Sequence, residues 1–180
     1  MASPVGHALM GLAAGRGISR PGQRQLGWYA FAIVAGNAAD LDFLPGILID
    51  QPFAFHRGPT HSLAAALAFG LLVYLACARR LRRPWRAAAI GGAAYATHLA
   101  LDMPHIPLFW PLWSEPPAIA WPSLPLSLPW AKDGGAMAAM DVLLSAELLY
   151  VLAIETAVYL PILAAVWLAT WARRGEVLAR

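Results

Sequence analysis

Charged side chains are scarce in this sequence. Only 13% of its 180 residues are Asp, Glu, Lys or Arg, whereas about a quarter of a soluble domain is charged. Hydrophobic residues make up 59% of the chain. This composition excludes an ordinary soluble domain and indicates an integral membrane protein. One domain over residues 1–180 is expected, because a helical bundle in lipid uses most of its chain to cross the bilayer.

Cysteine is almost absent, and the N-terminus lacks the features of a secretion signal. The single cysteine, Cys77, excludes an internal disulfide. The first residues, "MASPVGHALMG", contain no basic segment and already include His7, so no cleaved signal is expected. The formal charge of +3 comes from arginines clustered beside apolar runs, a pattern that indicates membrane topology and no nucleic-acid partner.

The apolar runs predict an all-α bundle with a short N-terminal helix, about four long hydrophobic helices and a Pro/Trp-rich loop. The N-terminal run, residues 5–15, is too short to cross about 30 Å of hydrocarbon. The long runs cover residues 26–49, 62–78, 86–103 and 136–171, and the loop covers 104–135. The last run is either one helix or two that meet near Pro161.

The arginine clusters predict the orientation of the bundle. Basic residues accumulate in cytoplasmic loops, which places the arginines of 16–24, 79–86 and 173–174 on the cytoplasmic side. Alternating spans then carry all five histidines and four aspartates to the other side. These residues are His7, His56, His61, His98, His105, Asp40, Asp42, Asp102 and Asp141.

Such a collection of imidazoles and carboxylates indicates a metal site. Ionisable groups at membrane depth are costly, so they usually face the interior and have partners. Mixed His and Asp ligands suit zinc, manganese or iron. His98 and Asp102 stand four residues apart, so both lie on one helix face and can hold one ion. Gly11 follows His7 by four residues and so lies on the same helix face. Because glycine has no side chain, another helix can approach closely there.

The remaining spacings fit the same site. Asp40 and Asp42 diverge on a regular helix, which predicts one ligand and one supporting or bridging group. His56 and His61 bracket "RGPT", a turn that can bring both imidazoles to one centre.

Each element also has a structural interpretation when it is taken alone. The His98 and Asp102 pair can be an intrahelical hydrogen bond, and Asp40 and Asp42 can form a helix-end turn. Other polar residues have similar alternatives: an interior histidine for His7, an interfacial loop residue for His105, a snorkelling Arg57, helix caps for Thr60 and Ser62, a first-turn carboxylate for Asp141, and interior pairing for Glu147 and Glu155. Their predicted convergence at one side of the membrane favours the metal site.

Four motifs resemble a known family, the membrane-bound metal-dependent hydrolases of the YdjM type found in bacteria and archaea. The motifs are "HALMG" at 7–11, "NAADLDFLP" at 37–45, "HRGPTHS" at 56–62 and "HLALD" at 98–102. The group is distantly similar to zinc-dependent phospholipase C and the single-strand-specific zinc nucleases. The resemblance implies metal ligands at His7, Asp40, Asp42, His56, His61, His98 and Asp102, to which the topology adds Asp141.

The resemblance also implies a function in the prokaryotic cytoplasmic membrane, with the site on the non-cytoplasmic side. A phosphoester, in particular a lipid headgroup, would be hydrolysed by water bound to divalent metal ions, zinc or manganese. Asp40 or Asp42 would accept the proton of the water, and Arg57 would bind a phosphate oxygen. Two other classes remain open: a metal-binding transporter or sensor without hydrolysis, and a helical scaffold whose polar residues point to different places.

Overall fold

The computed structural model describes residues 2–19, 25–51, 53–118, 141 and 145–178. These residues form α-helices and short 3-10 helices, and no β-strand occurs among them, which confirms the all-α prediction. The α-helices are α1 (Pro4–Ile18), α2 (Gln25–Gly36), α3 (Phe43–Leu48), α4 (Leu63–Cys77), α5 (Pro84–Asp102) and α6 (Ala146–Leu178). The 3-10 helices are Ala38–Asp42 and Pro59–His61.

Helices that can span a membrane are fewer than the sequence predicts. Among the described residues, only Ala146–Ala172 of α6 is a single helix long and apolar enough. Leu26–Gly36 and Ala38–Leu48 qualify only as a pair that is bent by 52°. The prediction of about four long hydrophobic helices is therefore wrong over this part of the chain.

The physical reasons lie in the lengths and polar ends of the helices. The 15 residues of α4 extend only about 23 Å. The 19 residues of α5 include many Ala and Gly, and the end of this helix carries the buried polar residues His98 and Asp102. An apolar run in the sequence therefore predicts a helix, but it does not establish that this helix crosses the bilayer by itself.

Helix α1 begins where the sequence provides a cap. The Ser3 side chain accepts hydrogen bonds from the backbone N–H groups of Val5 and Gly6, and Pro4 occupies the first helical position. Proline is favoured there because its missing N–H would have no partner within the helix. This confirms the predicted short N-terminal helix and orients His7 one turn after the cap.

Glycines bring α1 and α2 into backbone contact. A Cβ at Gly11 would lie 2.7 Å from the Ala32 carbonyl oxygen, and one at Gly36 would lie 2.7 Å from the His7 carbonyl oxygen. Neither position has room for a side chain, so the close approach predicted at Gly11 is confirmed. The contact places His7 beside the end of α2.

Helix α5 lies at the centre of the described bundle and packs against α1, α2 and α4. Its buried residues recur every three or four positions, which is the period of one helix face. They are Ala87, Ile90, Gly91, Ala94, Tyr95, His98, Leu99 and Asp102. Helix α6 packs against α1 and buries Val151, Glu155, Tyr159 and Leu163, at steps of four.

The location of Arg16 differs from the sequence prediction. We expected it in a cytoplasmic loop, but it belongs to α1 and only 1% of the residue is exposed. Its guanidinium lies 4.4 Å from the centre of the Trp167 ring and donates a hydrogen bond of 2.7 Å to the Tyr29 hydroxyl. Cation–π contact and the hydroxyl explain why this arginine is tolerated inside the bundle.

Two of the sequence predictions concern segments that contain proline: an irregular loop over residues 104–135, and one or two helices around Pro161. Residues 104–118 form turns and irregular backbone, as the Pro/Trp-rich composition predicts, while 119–135, with Trp121 and Trp130, lie outside the described residues. Pro161 lies inside α6, which is continuous from Ala146 to Leu178. The described part of the last apolar run is therefore one helix, and 136–140 and 142–144 lie outside the described residues.

Candidate metal centre

Five separate parts of the chain supply side chains to one buried cluster. Helix α1 provides His7, the 3-10 helix after α2 provides two aspartates, the turn before Gly58 provides His56, the second 3-10 helix provides His61, and the last turn of α5 provides the "HLALD" pair. All seven residues implied by the motifs meet there: His7, Asp40, Asp42, His56, His61, His98 and Asp102. The convergence contradicts the scaffold interpretation, which required these side chains to point apart.

The orientation of His98 is fixed by the backbone of α2. Its Nδ1 lies 2.9 Å from the Gly36 carbonyl oxygen. A carbonyl can only accept, so Nδ1 carries the hydrogen and Nε2 has a free lone pair. A metal-binding histidine is usually held in this way through its other ring nitrogen. The Nε2 of His98 points into the cluster, 3.4 Å from Oδ1 of Asp40 and 3.7 Å from Oδ2 of Asp102.

His61 is held in the same way by a carboxylate. Its Nδ1 lies 3.2 Å from Oδ2 of Asp42, and the Thr60 hydroxyl donates a hydrogen bond of 2.7 Å to the same oxygen. Asp42 also lies 3.1 Å from Nδ1 of His56, through its other oxygen. One carboxylate thus orients two imidazoles. The Tyr95 hydroxyl donates to the Thr60 carbonyl at 2.7 Å and ties this turn to α5.

The two imidazoles meet through their Nε2 atoms. His61 Nε2 and His98 Nε2 are 3.1 Å apart, and both residues are fully buried. If Nδ1 of each ring carries the hydrogen, the two Nε2 atoms form a hydrogen bond only when one ring takes up a second proton, or else a metal ion must lie between their lone pairs. Burial lowers the pKa of His61, but hydrogen bonds to Asp40 and Asp42 outweigh it and raise the pKa to about 9. The protein surroundings therefore favour a cation here, which is either a proton or a metal ion.

His7 and Asp102 form the most enclosed part of the cluster. The His7 ring stacks on that of His98 with centroids 3.6 Å apart, and its Nε2 lies 3.6 Å from Oδ1 of Asp102. Both ring nitrogens of His7 and both carboxylate oxygens of Asp102 are buried without a hydrogen-bond partner among the described residues. Buried polar atoms are nearly always paired in native structures, so these atoms indicate a missing partner.

The nitrogen and oxygen atoms of the cluster are close enough together to hold a metal ion. Three overlapping groups have donor atoms within 4.8 Å of one another: His7, Asp40 and His98; Asp40, His56 and His61; and His61, His98 and Asp102. Two atoms each about 2.1 Å from a tetrahedral zinc ion are about 3.4 Å apart. The separations of 3.4 to 3.8 Å between these imidazole nitrogens and carboxylate oxygens are close to that value.

The 3-10 helix separates the roles of the two aspartates. Asp40 Oδ1 lies within 4 Å of His56, His61 and His98, whereas Asp42 lies behind His56 and His61 and belongs to none of the three groups. Residues two apart on a 3-10 helix point in different directions, since only residues three apart are eclipsed. The two aspartates therefore occupy different places in the cluster, and the prediction of one metal ligand with one supporting or bridging group stays a prediction.

A family model described as YdjM inner membrane protein matches residues 1–175. The chain belongs to the YdjM inner membrane protein family. The resemblance carried by the four motifs is thereby confirmed, and the family together with the apolar α6 identifies a membrane protein. Comparison with curated proteins and with solved structures finds no match. The more distant similarity to zinc-dependent phospholipase C and zinc nucleases stays a prediction.

Three other candidate residues of this YdjM family member lie outside the three groups. His105 and Asp141 are exposed, and neither joins a donor group among the described residues. Arg57 is half-buried beside His56 and has a positive φ of 62°. Its Nε is buried without a hydrogen-bond partner, and it forms no ion pair within the described part of the chain.

Sequence reasoning missed two supports of the cluster, predicted the roles of Ser62 and Glu155 outside it, and was wrong to expect Glu147 in the interior, since Glu147 is exposed. Thr60 was interpreted as a helix cap, but its hydroxyl contacts Asp42, while Ser62 caps α4 as predicted by accepting from the Ala65 N–H. The Gly36 carbonyl carries no side-chain signal. Glu155 pairs inside the bundle as predicted, accepting hydrogen bonds from the backbone N–H and the hydroxyl of Ser3.

Proposed function

We propose that the protein is a membrane-bound metal-dependent hydrolase of a phosphoester. The observation that carries this proposal is the set of buried ligand-type atoms at His7, Asp40 and Asp102 that have no hydrogen bond to any described residue and lie 3.4 to 3.8 Å from other nitrogen or oxygen atoms of the cluster. An unpaired buried carboxylate or imidazole costs stability, so a fold that retains several in one place needs a cation to offset them. The donor set, imidazole nitrogen with carboxylate oxygen, suits zinc or manganese.

Ligand chemistry favours two ions. The three donor groups share residues. Asp40 belongs to the first and second groups, and the third group shares His98 with the first and His61 with the second. An imidazole nitrogen binds one ion, whereas a carboxylate with several lone pairs can bridge two. One ion would be held by His7, Asp40 and His98 and a second by Asp40, His56 and His61, and Asp102 lies close enough to His7 to join the first group.

The catalytic roles follow from which carboxylate stays uncoordinated. When bound, the ions would lower the pKa of a coordinated water and stabilise charge on the phosphoester oxygens. Asp40 would hold both ions, whereas Asp42 belongs to none of the three donor groups. Asp42 is therefore the carboxylate that would accept a proton from an attacking water. Arg57, which has no described acidic partner, would bind a phosphate oxygen through its planar guanidinium.

The test is hydrolysis by purified protein after removal and return of metal. Wild type, His61→Ala and His105→Ala would be treated with chelator, reloaded with zinc or manganese, and assayed with bis(p-nitrophenyl) phosphate and p-nitrophenyl phosphate. We expect metal-dependent hydrolysis by wild type, a loss of at least about 100-fold in His61→Ala, and no change in the exposed control His105→Ala.

Two results would reject the hydrolase. Hydrolysis that survives complete removal of metal would contradict a metal-dependent reaction. A wild type that binds metal tightly and hydrolyses neither substrate faster than His61→Ala would favour the transporter or sensor class, in which the cluster binds an ion without activating water.

The side of the membrane is part of the same proposal. Along α6, which qualifies as a span, Glu155 contacts Ser3 at the start of α1 and Trp167 contacts Arg16 near its end, so the arginines at 173 and 174 lie at the end of α6 away from His7. Helix α5 likewise has the exposed Arg82 and Arg83 at one end and the cluster residues His98 and Asp102 at the other. Basic loops remain in the cytoplasm, so the cluster would face the opposite side. In a Cys77→Ser background, an impermeant maleimide added to intact cells should label His105→Cys and should label Arg82→Cys only after permeabilisation. The reverse pattern would contradict this orientation.

A further inference from the structure

A groove adjoins the candidate metal centre. It has a volume of about 620 Å³, and three of its wall residues, Asp42, His56 and Thr60, also belong to the hydrogen-bonded network of the centre. Pockets of this size hold small ligands. A molecule bound in the groove therefore has one end against His56, a member of one donor group, and against Asp42 and Thr60, which support the centre.

The other walls of the groove are apolar. They include Leu41, Pro45 and Phe55, which offer no side-chain hydrogen bond. A sugar or a nucleotide needs polar partners along its length, whereas a hydrocarbon chain gains from contact with apolar walls alone. The groove thus has a polar end at the centre and an apolar remainder.

The apolar walls continue onto an uncovered surface. Leu41 is 60% exposed and Phe55 is 50% exposed, and the neighbouring Leu44 and Leu48 are exposed as well. Leu41, Leu44 and Leu48 belong to the bent pair of helices that qualifies as a membrane span. In an inner membrane protein this surface meets acyl chains, so the groove is accessible to lipid from the side.

We infer that the substrate is a phospholipid, bound with one acyl chain along Leu41, Pro45 and Phe55 and with its phosphoester at the metal centre. This inference rests on the proposed function for the reaction, and on the groove for the lipid. A water-soluble phosphoester without an acyl chain has much less apolar surface to bury against these walls, so the groove predicts preference for the lipid.

Binding is tested without any need for activity. The protein would be placed in vesicles of phosphatidylethanolamine and phosphatidylglycerol that contain a phosphatidylglycerol with a diazirine on one acyl chain. After illumination, we expect saturable labelling of the segment 41–55, exceeding the labelling of the exposed leucines of α4 by about fivefold. Equal labelling of both surfaces, without competition by unlabelled phosphatidylglycerol, would overturn the groove as a lipid site.

Specificity is tested by a ratio of two activities. Phe55→Gln and Phe109→Gln remove the same side chain at nearly equal exposure, 50% and 49%, but only Phe55 lines the groove. Phe55→Gln should lower kcat/KM for a long-chain phospholipid about fivefold more than kcat/KM for bis(p-nitrophenyl) phosphate. Phe109→Gln should leave this ratio at the wild-type value.

The two proposals fail in different ways. Metal-dependent hydrolysis of the soluble phosphodiester, with an unchanged ratio in Phe55→Gln, would reject the lipid substrate and leave the hydrolase in place. Saturable labelling of the groove in a protein that hydrolyses neither substrate would reject the hydrolase and retain the lipid site.

Discussion

Helices α4 and α5 pack against each other, but the more apolar of the two is the less buried. Helix α4 is nearly all apolar, yet Ala66 is its one buried residue within the described structure. Helix α5 carries histidine, aspartate and many small residues, and eight of its positions are buried. In a membrane protein the most hydrophobic helix faces lipid, and the helix with polar residues faces inward, because ionisable groups avoid hydrocarbon.

Helix α6 combines both patterns. Most of its side chains are exposed, but its narrow buried stripe contains Glu155, which is 1% exposed and accepts hydrogen bonds from Ser3 at the start of α1. The contrast between an exposed apolar helix and a buried helix with polar residues therefore also exists between the two faces of α6. Inward-facing polar groups should matter far more than outward-facing groups of the same type.

The largest effect is expected from the central carboxylate. Asp40→Asn removes the proposed bridge between two ions, so metal affinity should fall by at least about 100-fold. Asp141→Asn alters an exposed aspartate outside the donor groups and should leave affinity unchanged. Titration with zinc in competition with a chromophoric chelator measures both. Equal affinities in the two variants would remove Asp40 from the centre.

A smaller loss is expected from the supporting carboxylate. Asp42→Asn leaves the donor groups in place but weakens the hold on Nδ1 of His56 and His61. Groups that orient metal-binding histidines typically contribute about 10- to 100-fold in affinity. The same zinc titration should place Asp42→Asn between wild type and Asp40→Asn. A loss as large as that of Asp40→Asn would show that Asp42 binds metal itself.

Helix contact can be tested by adding one methyl group at two glycines of α2. Gly36→Ala places a Cβ 2.7 Å from the His7 carbonyl oxygen, whereas Gly27 has nothing within 4 Å of that position. Gly36→Ala should destabilise the protein by about 1–3 kcal/mol. Gly27→Ala should be neutral or stabilise by up to about 1 kcal/mol. Thermal unfolding in detergent compares them, and equal melting temperatures would contradict the contact between α1 and α2.

The smallest effect is expected at Glu155. Glu155→Gln replaces one of two acceptor oxygens that face Ser3 with a donor, at a cost of about 1 kcal/mol. Glu147→Gln changes an exposed glutamate of the same helix and should alter stability by less than about 0.5 kcal/mol. The same unfolding experiment measures this pair. Equal stability of the two variants would contradict an anchoring role for Glu155.

Much of the fold follows from the apolar runs. Residues 62–78 and 86–103 correspond to α4 and α5 within two residues at each end, since proline and arginine between them end one helix and begin the next. The break after Gly36 was not predicted. The segment from Asn37 through the short helices continues the apolar run of α2. The composition of the run therefore gives no sign of the 52° bend.

The site was more predictable than the number of spans. Ionisable residues in an apolar chain have few acceptable places, which was enough to predict that His7, His61, His98 and Asp102 meet. The alternating spans used to group them were wrong in number, and the same grouping included His105 and Asp141, which lie outside the donor groups. The finer arrangement depends on the backbone and leaves no mark in the sequence. Whether Asp40 or Asp42 is central depends on the 3-10 backbone, and the acceptor of His98 is a carbonyl that any residue possesses.

The metal content of purified protein tests the central claim most directly. Wild type, His98→Ala and His105→Ala would be purified without chelator, equilibrated with zinc, freed of loosely bound ions and measured by elemental analysis. The arrangement of donor groups predicts about two ions per chain in wild type and in His105→Ala, and a loss in His98→Ala. A wild type without bound metal, or a His98→Ala protein that retains the full content, would contradict a metal centre at this cluster.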